Sequence, residues 1–74
     1  MRVPDDILAR LCIAYRERRE ITLTWDGVQL MTRKAGPPRK QPMVYGYYRD
    51  LGYMTEHQWS NTLEDFLLSL GRLR

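Results

Sequence analysis

A pair of alternating segments around Asp26-Gly27 is the feature that most restricts how this chain can fold. In ITLTWDGVQLMTRK, apolar and polar residues alternate on both sides of that dipeptide. Asp-Gly accepts the positive φ angles of a two-residue turn, so residues 20–34 are predicted to form a β-hairpin. The turn also fixes the cross-strand pairs, which are expected to be Trp25 with Val28, Leu23 with Leu30 and Ile21 with Thr32.

The two faces of this hairpin differ in polarity. The paired apolar residues share one face, and the side chains between them point to the other. The residues expected on that second, mostly polar face are Thr22, Thr24, Gln29, Met31 and Arg33. Such alternation is typical of an antiparallel sheet that is covered on one side only.

Residues 4–19 carry the pattern of an amphipathic helix. Pro4 suits the first helical position, and the two aspartates after it favour the positive end of the helix dipole. Apolar residues then recur at helical spacing: Ile7, Leu8, Leu11, Ala14 and Tyr15. Ile13 lies outside this stripe, among charged residues, so we expect it on the surface.

Prolines separate the hairpin from the next strand. Because proline cannot donate a hydrogen bond to a ladder, KAGPPRKQP is predicted to form a loop over residues 34–42. The segment MVYGYYR that follows is predicted to form a third strand over residues 43–49.

A second helix is predicted over residues 56–71. Thr55 and Gln58 have the spacing of a capping box, while Met54 and Trp59 occupy the two positions of a hydrophobic staple. The apolar stripe of this helix is expected to comprise Trp59, Leu63, Phe66, Leu67, Leu70 and Leu73. Leu68 points away from that stripe and is expected to be exposed.

These elements give the order α-β-β-β-α in a chain of 74 residues. A chain of this length supports one domain, which we expect to span residues 1–74. The predicted class is α+β, with two layers, in which a three-stranded antiparallel sheet carries both helices on one face.

Residue types needed for catalysis or metal binding are scarce. His57 is the only histidine and Cys12 the only cysteine, so neither has a second ligand of its own kind or an obvious catalytic partner. Adjacent carboxylates such as Glu64 and Asp65 diverge by about 100° on a helix and do not converge on one substrate. We therefore expect no enzyme activity, no metal site and no cofactor.

The single cysteine and the absence of long apolar stretches also indicate a cellular compartment. A single cysteine permits no internal disulfide, which favours a reducing compartment, and a cytoplasmic location is expected. MRVPDDILAR lacks the basic and apolar segments of a signal peptide, and no apolar stretch approaches the length of a membrane span. No membrane association is predicted.

The middle of the chain is its basic part, within a net charge of +3. No acid lies between Gly27 and Asp50. The cations of the loop and its flanks are Arg33, Lys34, Arg39 and Lys40, and they are predicted to contact a partner. An exposed loop can also be basic only for solubility, which leaves that alternative open.

The third strand offers two assignments. In the first, Val44, Gly46 and Tyr48 pack on the core, while Tyr45, Tyr47 and Arg49 join Met31 and Arg33 on an open aromatic and basic face. In the second, Tyr45 and Tyr47 are buried and this binding face does not exist. The first assignment is favoured slightly, because Gly46 gives a helix room to approach the sheet.

The predicted binding residues are Arg33, Lys34, Arg39, Lys40, Tyr45, Tyr47, Arg49, Ile13 and Leu68. Exposed aromatic, arginine and apolar side chains of this kind favour docking onto a larger host protein or nucleoprotein complex. The chain is similar in kind to phage-encoded proteins that modify host transcription or defence complexes. It is expected to be a non-catalytic regulator, monomeric or weakly dimeric, and direct binding of RNA or DNA is the alternative.

The predicted order of elements resembles that of double-stranded-RNA-binding domains. That family grips the RNA backbone with a lysine-rich start to its last helix. The corresponding segment here is TEHQWSN, which has no lysine, so the resemblance implies no RNA-contacting residues at that position.

Overall fold

A computed structural model describes residues 2–39 and 41–73 of the chain. Its elements are α1 (Asp5–Arg16), β1 (Ile21–Trp25), β2 (Val28–Lys34), β3 (Met43–Asp50), β4 (Thr55–Ser60) and α2 (Leu63–Gly71). The strands form one antiparallel sheet in the order β1-β2-β3-β4. The predicted α+β class with two helices is confirmed. The predicted count of three strands is wrong, because the described sheet has four.

The β1–β2 hairpin forms as the sequence predicts. Asp26 and Gly27 both adopt positive φ angles, 51° and 74°, as a type I′ turn requires. The expected cross-strand pairs are all present: Trp25 with Val28, Leu23 with Leu30 and Ile21 with Thr32.

β4 occupies the segment that was expected to begin the last helix. The chain reverses after β3 because Leu51 donates its N–H to the Met54 carbonyl at 2.9 Å, which leaves only two residues in the turn. Gly52, the first of the two, has a φ angle of 87°, as in type II′ hairpin turns. Its N–H also bonds the Asp50 carboxylate at 2.8 Å. The capping box and staple predicted at residues 54–59 are therefore wrong.

α2 begins at Leu63, behind a different cap. Thr62 has extended backbone angles, and its hydroxyl accepts the N–H of Asp65 at 3.1 Å. Glu64 and Asp65 lie in the first turn, where the positive end of the helix dipole favours acids. Thr62 and Asp65 thus have the same spacing as Thr55 and Gln58. At Thr62 this spacing marks the start of a helix, whereas residues 55–58 pair with β3 and form a strand instead.

Both helices pack on one face of the sheet and bury the core there. The buried cluster comprises Val3, Leu11, Val28, Leu30, Tyr45, Tyr47, Phe66, Leu70 and Leu73. α1 contacts β1, β2 and β3, whereas α2 contacts β3 and β4. Tyr45 lies between the helices: its ring stacks on that of Tyr15 at 4.4 Å and on that of Phe66 at 5.4 Å. The Tyr15 hydroxyl donates to the Asn61 carbonyl, which ties α1 to the start of α2.

α1 ends earlier than predicted, at Arg16, in a Schellman motif. The N–H of Arg19 bonds the Ala14 carbonyl at 2.8 Å, and that of Arg18 bonds the Tyr15 carbonyl. Arg18 takes the left-handed position of the motif, with φ 58°. The chain can therefore reverse into β1 without a glycine.

Buried Thr32 fastens that connection to the sheet. Its hydroxyl donates to the Arg19 carbonyl at 2.7 Å and accepts the N–H of Ile21 at 3.2 Å. Both of these backbone groups lie at the entrance of β1, where the ladder with β2 begins. The Thr32 hydroxyl is completely buried, and it has one hydrogen-bond partner as a donor and one as an acceptor.

Candidate interaction surface on the open face of the sheet

The two tyrosines predicted to lie on the open face are in the core. Tyr45 and Tyr47 are 4% and 7% exposed. The register explains the error, because Tyr45 pairs with Thr32 and Tyr47 with Leu30, and both partners point toward the helices. The favoured assignment of β3 is therefore wrong, and the second assignment, with buried tyrosines, is the one that the structure has.

Burial also affects the phenol groups of these tyrosines. Loss of solvation raises the pKa of Tyr45, and the nearby Cys12 thiol raises it further. The pKa of Tyr47 is raised mainly by burial as well, with a smaller contribution from the Glu56 carboxylate. Both hydroxyls therefore stay protonated in the folded protein at pH values where an exposed tyrosine ionises.

Arg49 lies on the helix-covered side of the sheet, so its predicted place on the open face is also wrong. It pairs across the ladder with Glu56 on β4, and its guanidinium contacts both carboxylate oxygens, at 2.9 and 3.0 Å. Both side chains are largely buried. This ion pair joins β3 to β4 and is placed to hold the sheet together rather than to meet a partner.

The open face is built from the other half of each strand. Gln29, Met31 and Arg33 contribute to it from β2, as predicted. By the alternation of the ladders, β3 adds Val44, Gly46 and Tyr48, and β4 adds Thr55, His57 and Trp59. Both helices contact the core on the opposite side, so neither covers this face.

Three aromatic rings form a row across this face, and we call Tyr48, His57 and Trp59 the aromatic row. The rings of Tyr48 and His57 meet edge to face, with centroids 5.8 Å apart. His57 and Trp59 are 4.9 Å apart and tilted by 55°. Trp59 remains 42% exposed. The row therefore offers aromatic surface to solvent from side chains of two paired strands.

The aromatic row connects with the base of the basic loop through two adjoining surface recesses. One recess is lined by Gln29, Met31, Arg33, Tyr48, His57 and Trp59. The other is lined by Glu20, Arg33, Lys34, Ala35, Val44 and Trp59. Because Arg33 and Trp59 line both, one continuous surface runs from Tyr48 to Lys34.

The predicted cations differ in their contacts with the rest of the protein. The Arg33 guanidinium is held on the sheet, where it donates to the Ile21 and Thr32 carbonyls and to the Thr22 hydroxyl. Lys34 and Arg39 are exposed, and the backbone N–H of Lys34 bonds the Glu20 carboxylate. The prediction for Lys40 falls on a residue outside the described ranges.

The basic loop is anchored at its two ends. Ala35 donates its N–H to the Pro42 carbonyl at 2.9 Å, which extends the β2–β3 ladder by one more pair. The Arg18 guanidinium donates to the Gln41 carbonyl, which holds the returning arm near the end of α1. Arg39 is thus exposed on a loop whose two ends are fixed.

The two predicted apolar outliers are exposed, but they lie apart from the open face. Ile13 on α1 lines a recess with Arg10, Arg19 and Ile21. Leu68 on α2 is 59% exposed and lies beside the outer edge of β4. The residues predicted to bind a partner are therefore spread over separate regions rather than gathered in one site.

The aromatic row was not predicted, because residues 55–60 were assigned to a helix. Two signals were present. Leu-Gly-Tyr-Met at residues 51–54 has glycine first in a two-residue turn, and the side chains of TEHQWS alternate in the β4 ladder. The capping-box spacing of Thr55 and Gln58 nevertheless led to the prediction of a helix.

Within the described residues, no group of three or more His, Cys, Asp or Glu side chains is placed to hold a metal ion. No helix in this part of the chain is long and apolar enough to cross a membrane. Comparisons of the chain with protein-family models, with curated proteins and with solved structures give no match. Function must therefore be inferred from the surface itself.

Proposed function

We propose that this protein is a small non-catalytic binding protein that holds single-stranded nucleic acid on its open sheet face. Through this contact it would act as a regulator on a nucleoprotein assembly. The observation that carries the proposal is the aromatic row of half-buried Tyr48 and exposed His57 and Trp59, which lies on a face that neither helix covers and is continuous with the base of the basic loop.

Stacking is the interaction that such a row can supply. Every base has a π-face, so an exposed aromatic ring contributes about 1–3 kcal/mol per stacked base without reading sequence. Four-stranded sheets with surface aromatics are a recurrent platform for unpaired RNA. Bases inside a duplex are stacked on one another and cannot reach these rings, which favours single strands.

Arg33 and Lys34 give the recess beside Trp59 two positive charges against the one negative charge of Glu20, which suits a phosphate backbone. Arg33 fixes one positive charge on the sheet itself, beside Trp59, through its hydrogen bonds to β1. Lys34 at the end of β2 and Arg39 in the basic loop supply exposed charges. A strand stacked on the aromatic row could therefore place its phosphates toward this loop.

Fluorescence anisotropy with labelled mixed-sequence oligonucleotides tests the proposal. Trp59→Ala and Tyr48→Ala are each expected to weaken binding of a single strand by about fivefold to a hundredfold, as loss of one stacked base implies. Tyr53→Ala is the matched control, because Tyr53 is 84% exposed but lies in the β3–β4 turn rather than in the row. Equal losses for Tyr53→Ala and Trp59→Ala, or tighter binding of duplex, contradict the proposal.

A second pair of variants tests the phosphate contacts. Arg39→Ala is expected to weaken binding and to reduce the salt dependence by roughly one phosphate contact. Arg16→Ala removes an exposed charge from α1, on the other side of the sheet, and should change neither quantity. If both variants behave alike, only net charge matters and the loop is not part of a site.

A protein partner is the second candidate, and exposed Ile13 is the observation that favours it. This residue lies at the surface of α1 in a recess with Arg10 and Arg19, where apolar and arginine side chains meet as they do in protein interfaces. A pull-down from source-cell lysate with and without nuclease separates the candidates. Recovery of a stoichiometric protein after nuclease, lost in Ile13→Asp, would favour this alternative.

A further inference from the structure

The sheet has two outer edges, and their surroundings differ. Along β1, the Arg33 guanidinium bonds the Ile21 carbonyl at 2.8 Å on the side that faces β2, and the outward backbone groups are those of Thr22 and Thr24. Along β4, the neighbouring element is α2, whose residues line a recess together with the strand. A second chain that pairs with the β4 edge would therefore also meet α2.

The hydrogen-bonding pattern shows which groups face this edge. The Leu51–Met54 bond closes the β3–β4 turn, and bonded pairs recur at every second position of an antiparallel ladder. The bonded pairs are therefore Arg49 with Glu56, Tyr47 with Gln58 and Tyr45 with Ser60. The residues between them on β4, namely Thr55, His57 and Trp59, direct their backbone N–H and C=O groups outward.

We infer that a second copy of this chain pairs with the β4 edge, antiparallel and about a two-fold axis at His57. In that register the outward groups of Thr55 meet those of Trp59 in the second copy, and His57 meets its own equivalent. On the helix-covered side, Glu56 lies opposite Gln58 of the second copy, so no two carboxylates face each other. The two sheets become one continuous sheet.

The outer side of α2 carries a charge pattern that matches the same axis. α2 turns back along β4 after Thr62, and Asp65, Leu68, Ser69 and Arg72 line a recess with Gln58 and Ser60. Asp65 and Arg72 are seven residues apart, which places them on one side of the helix, separated by about 10 Å along its axis. Leu68 lies between them and is exposed.

A two-fold axis between two antiparallel copies of α2 makes this pattern complementary to itself. Asp65 then faces Arg72 of the second copy, and this ion pair occurs twice, with the two Leu68 side chains packed between the pairs. Among the described residues, neither Asp65 nor Arg72 has an ion-pair partner in its own chain. The edge of β4 and the side of α2 thus favour the same partner, a second copy.

Sedimentation velocity of the full chain over a concentration series tests this inference. The wild-type mass is expected to rise from 8.9 kDa toward twice that value as concentration increases. Asp65→Lys or Arg72→Glu brings like charges together twice in each dimer and should raise the dissociation constant about tenfold or more. The double variant restores opposite charges and should regain most of the lost affinity.

A backbone variant tests the strand pairing separately. His57→Pro removes an outward N–H while sparing the bonds from β4 to β3, so it should abolish the dimer. Thr24→Pro is the matched control on the β1 edge, where the dimer does not form, and should leave the dissociation constant unchanged. Circular dichroism verifies the fold of both, and if His57→Pro does not fold, the charge exchange decides the matter.

Two outcomes overturn the inference. One is a wild-type mass that stays at 8.9 kDa at every concentration. The other is a double charge variant that dimerises no better than the single variants. Because these measurements contain no nucleic acid, they can fail while the proposed nucleic-acid contact stands, and the reverse also holds.

Discussion

The indole of Trp59 lies directly against the backbone of Gly46 on the neighbouring strand. The two residues are cross-strand partners, and a Cβ at position 46 would overlap the six-membered part of the indole. A glycine in a strand often marks such a close approach of a large side chain. Here it allows an exposed ring of the aromatic row to lie against the open face.

Replacing Gly46 with alanine is expected to displace this ring. The backbone at position 46 does not require glycine, so the effect should come from the overlap with Trp59 alone. We expect a loss of about 1–3 kcal/mol in the free energy of unfolding, typical of overpacking, and a red shift in tryptophan emission. Gly71→Ala is the control: a Cβ there meets open space within a helix and should be neutral or stabilising.

Removing the Thr32 hydroxyl should destabilise the entrance of β1. Thr32→Val keeps the shape of the side chain but leaves the Arg19 carbonyl and the Ile21 N–H without this partner. We expect the free energy of unfolding to fall by about 1–3 kcal/mol in urea titrations. Thr24→Val, on an exposed position of β1, should change it by less than about 0.5 kcal/mol. Similar effects at both positions would show that the hydroxyl bonds contribute little.

The left-handed residue at the end of α1 allows a test of the Schellman motif. Arg18 has φ 58°, a conformation that glycine adopts without steric cost. Arg18→Gly also removes the hydrogen bond to the Gln41 carbonyl, so Arg18→Ala, which loses the same bond, is the reference. The free energy of unfolding of Arg18→Gly should exceed that of Arg18→Ala by about 1 kcal/mol, measured by thermal or chemical unfolding. No difference would mean that the Schellman motif does not hold in solution.

Alkaline pH should destabilise the protein through its buried tyrosines. The raised pKa of Tyr45 means that the unfolded chain loses this proton near pH 10 while the folded chain retains it. Stability is therefore unaffected below that pH and falls above it, by up to about 1.4 kcal/mol per pH unit for each such tyrosine. Tyr45→Phe cannot ionise, so its stability relative to wild type should be constant up to about pH 9 and improve as the pH rises through about 10 to 11. A constant difference across this range would contradict the pKa shift.

Local signals were enough to predict the first half of the chain. The Asp26-Gly27 turn and its alternating flanks define both the register and the faces of β1 and β2, because a two-residue turn leaves no freedom to slip. The apolar stripe of α1 was also clear, although the helix was predicted to continue to residue 19 and in fact ends at Arg16. Arg18 in a left-handed conformation is not a signal that residue type reveals.

The second half depends on contacts that no short window of sequence contains. Tyr45 and Tyr47 alternate with Val44 and Tyr48, so apolar character alone does not say which pair faces the helices. The register across the long basic loop decides it, through the pairing of Tyr47 with Leu30. β4 in turn becomes a strand because β3 offers it an edge, which overrides a helix-start pattern at Thr55.

The strand order also bears on how fast the protein should fold. Each strand pairs only with its neighbour along the chain, so the sheet can assemble as successive hairpins with small loop-closure costs. The helices lie at opposite ends of the chain, and the Tyr15–Asn61 bond joins residues 46 positions apart. Docking of α1 and α2 over Tyr45 is the step with the largest entropy cost. The rate-limiting barrier should therefore lie at closure of the helical layer rather than at formation of the sheet.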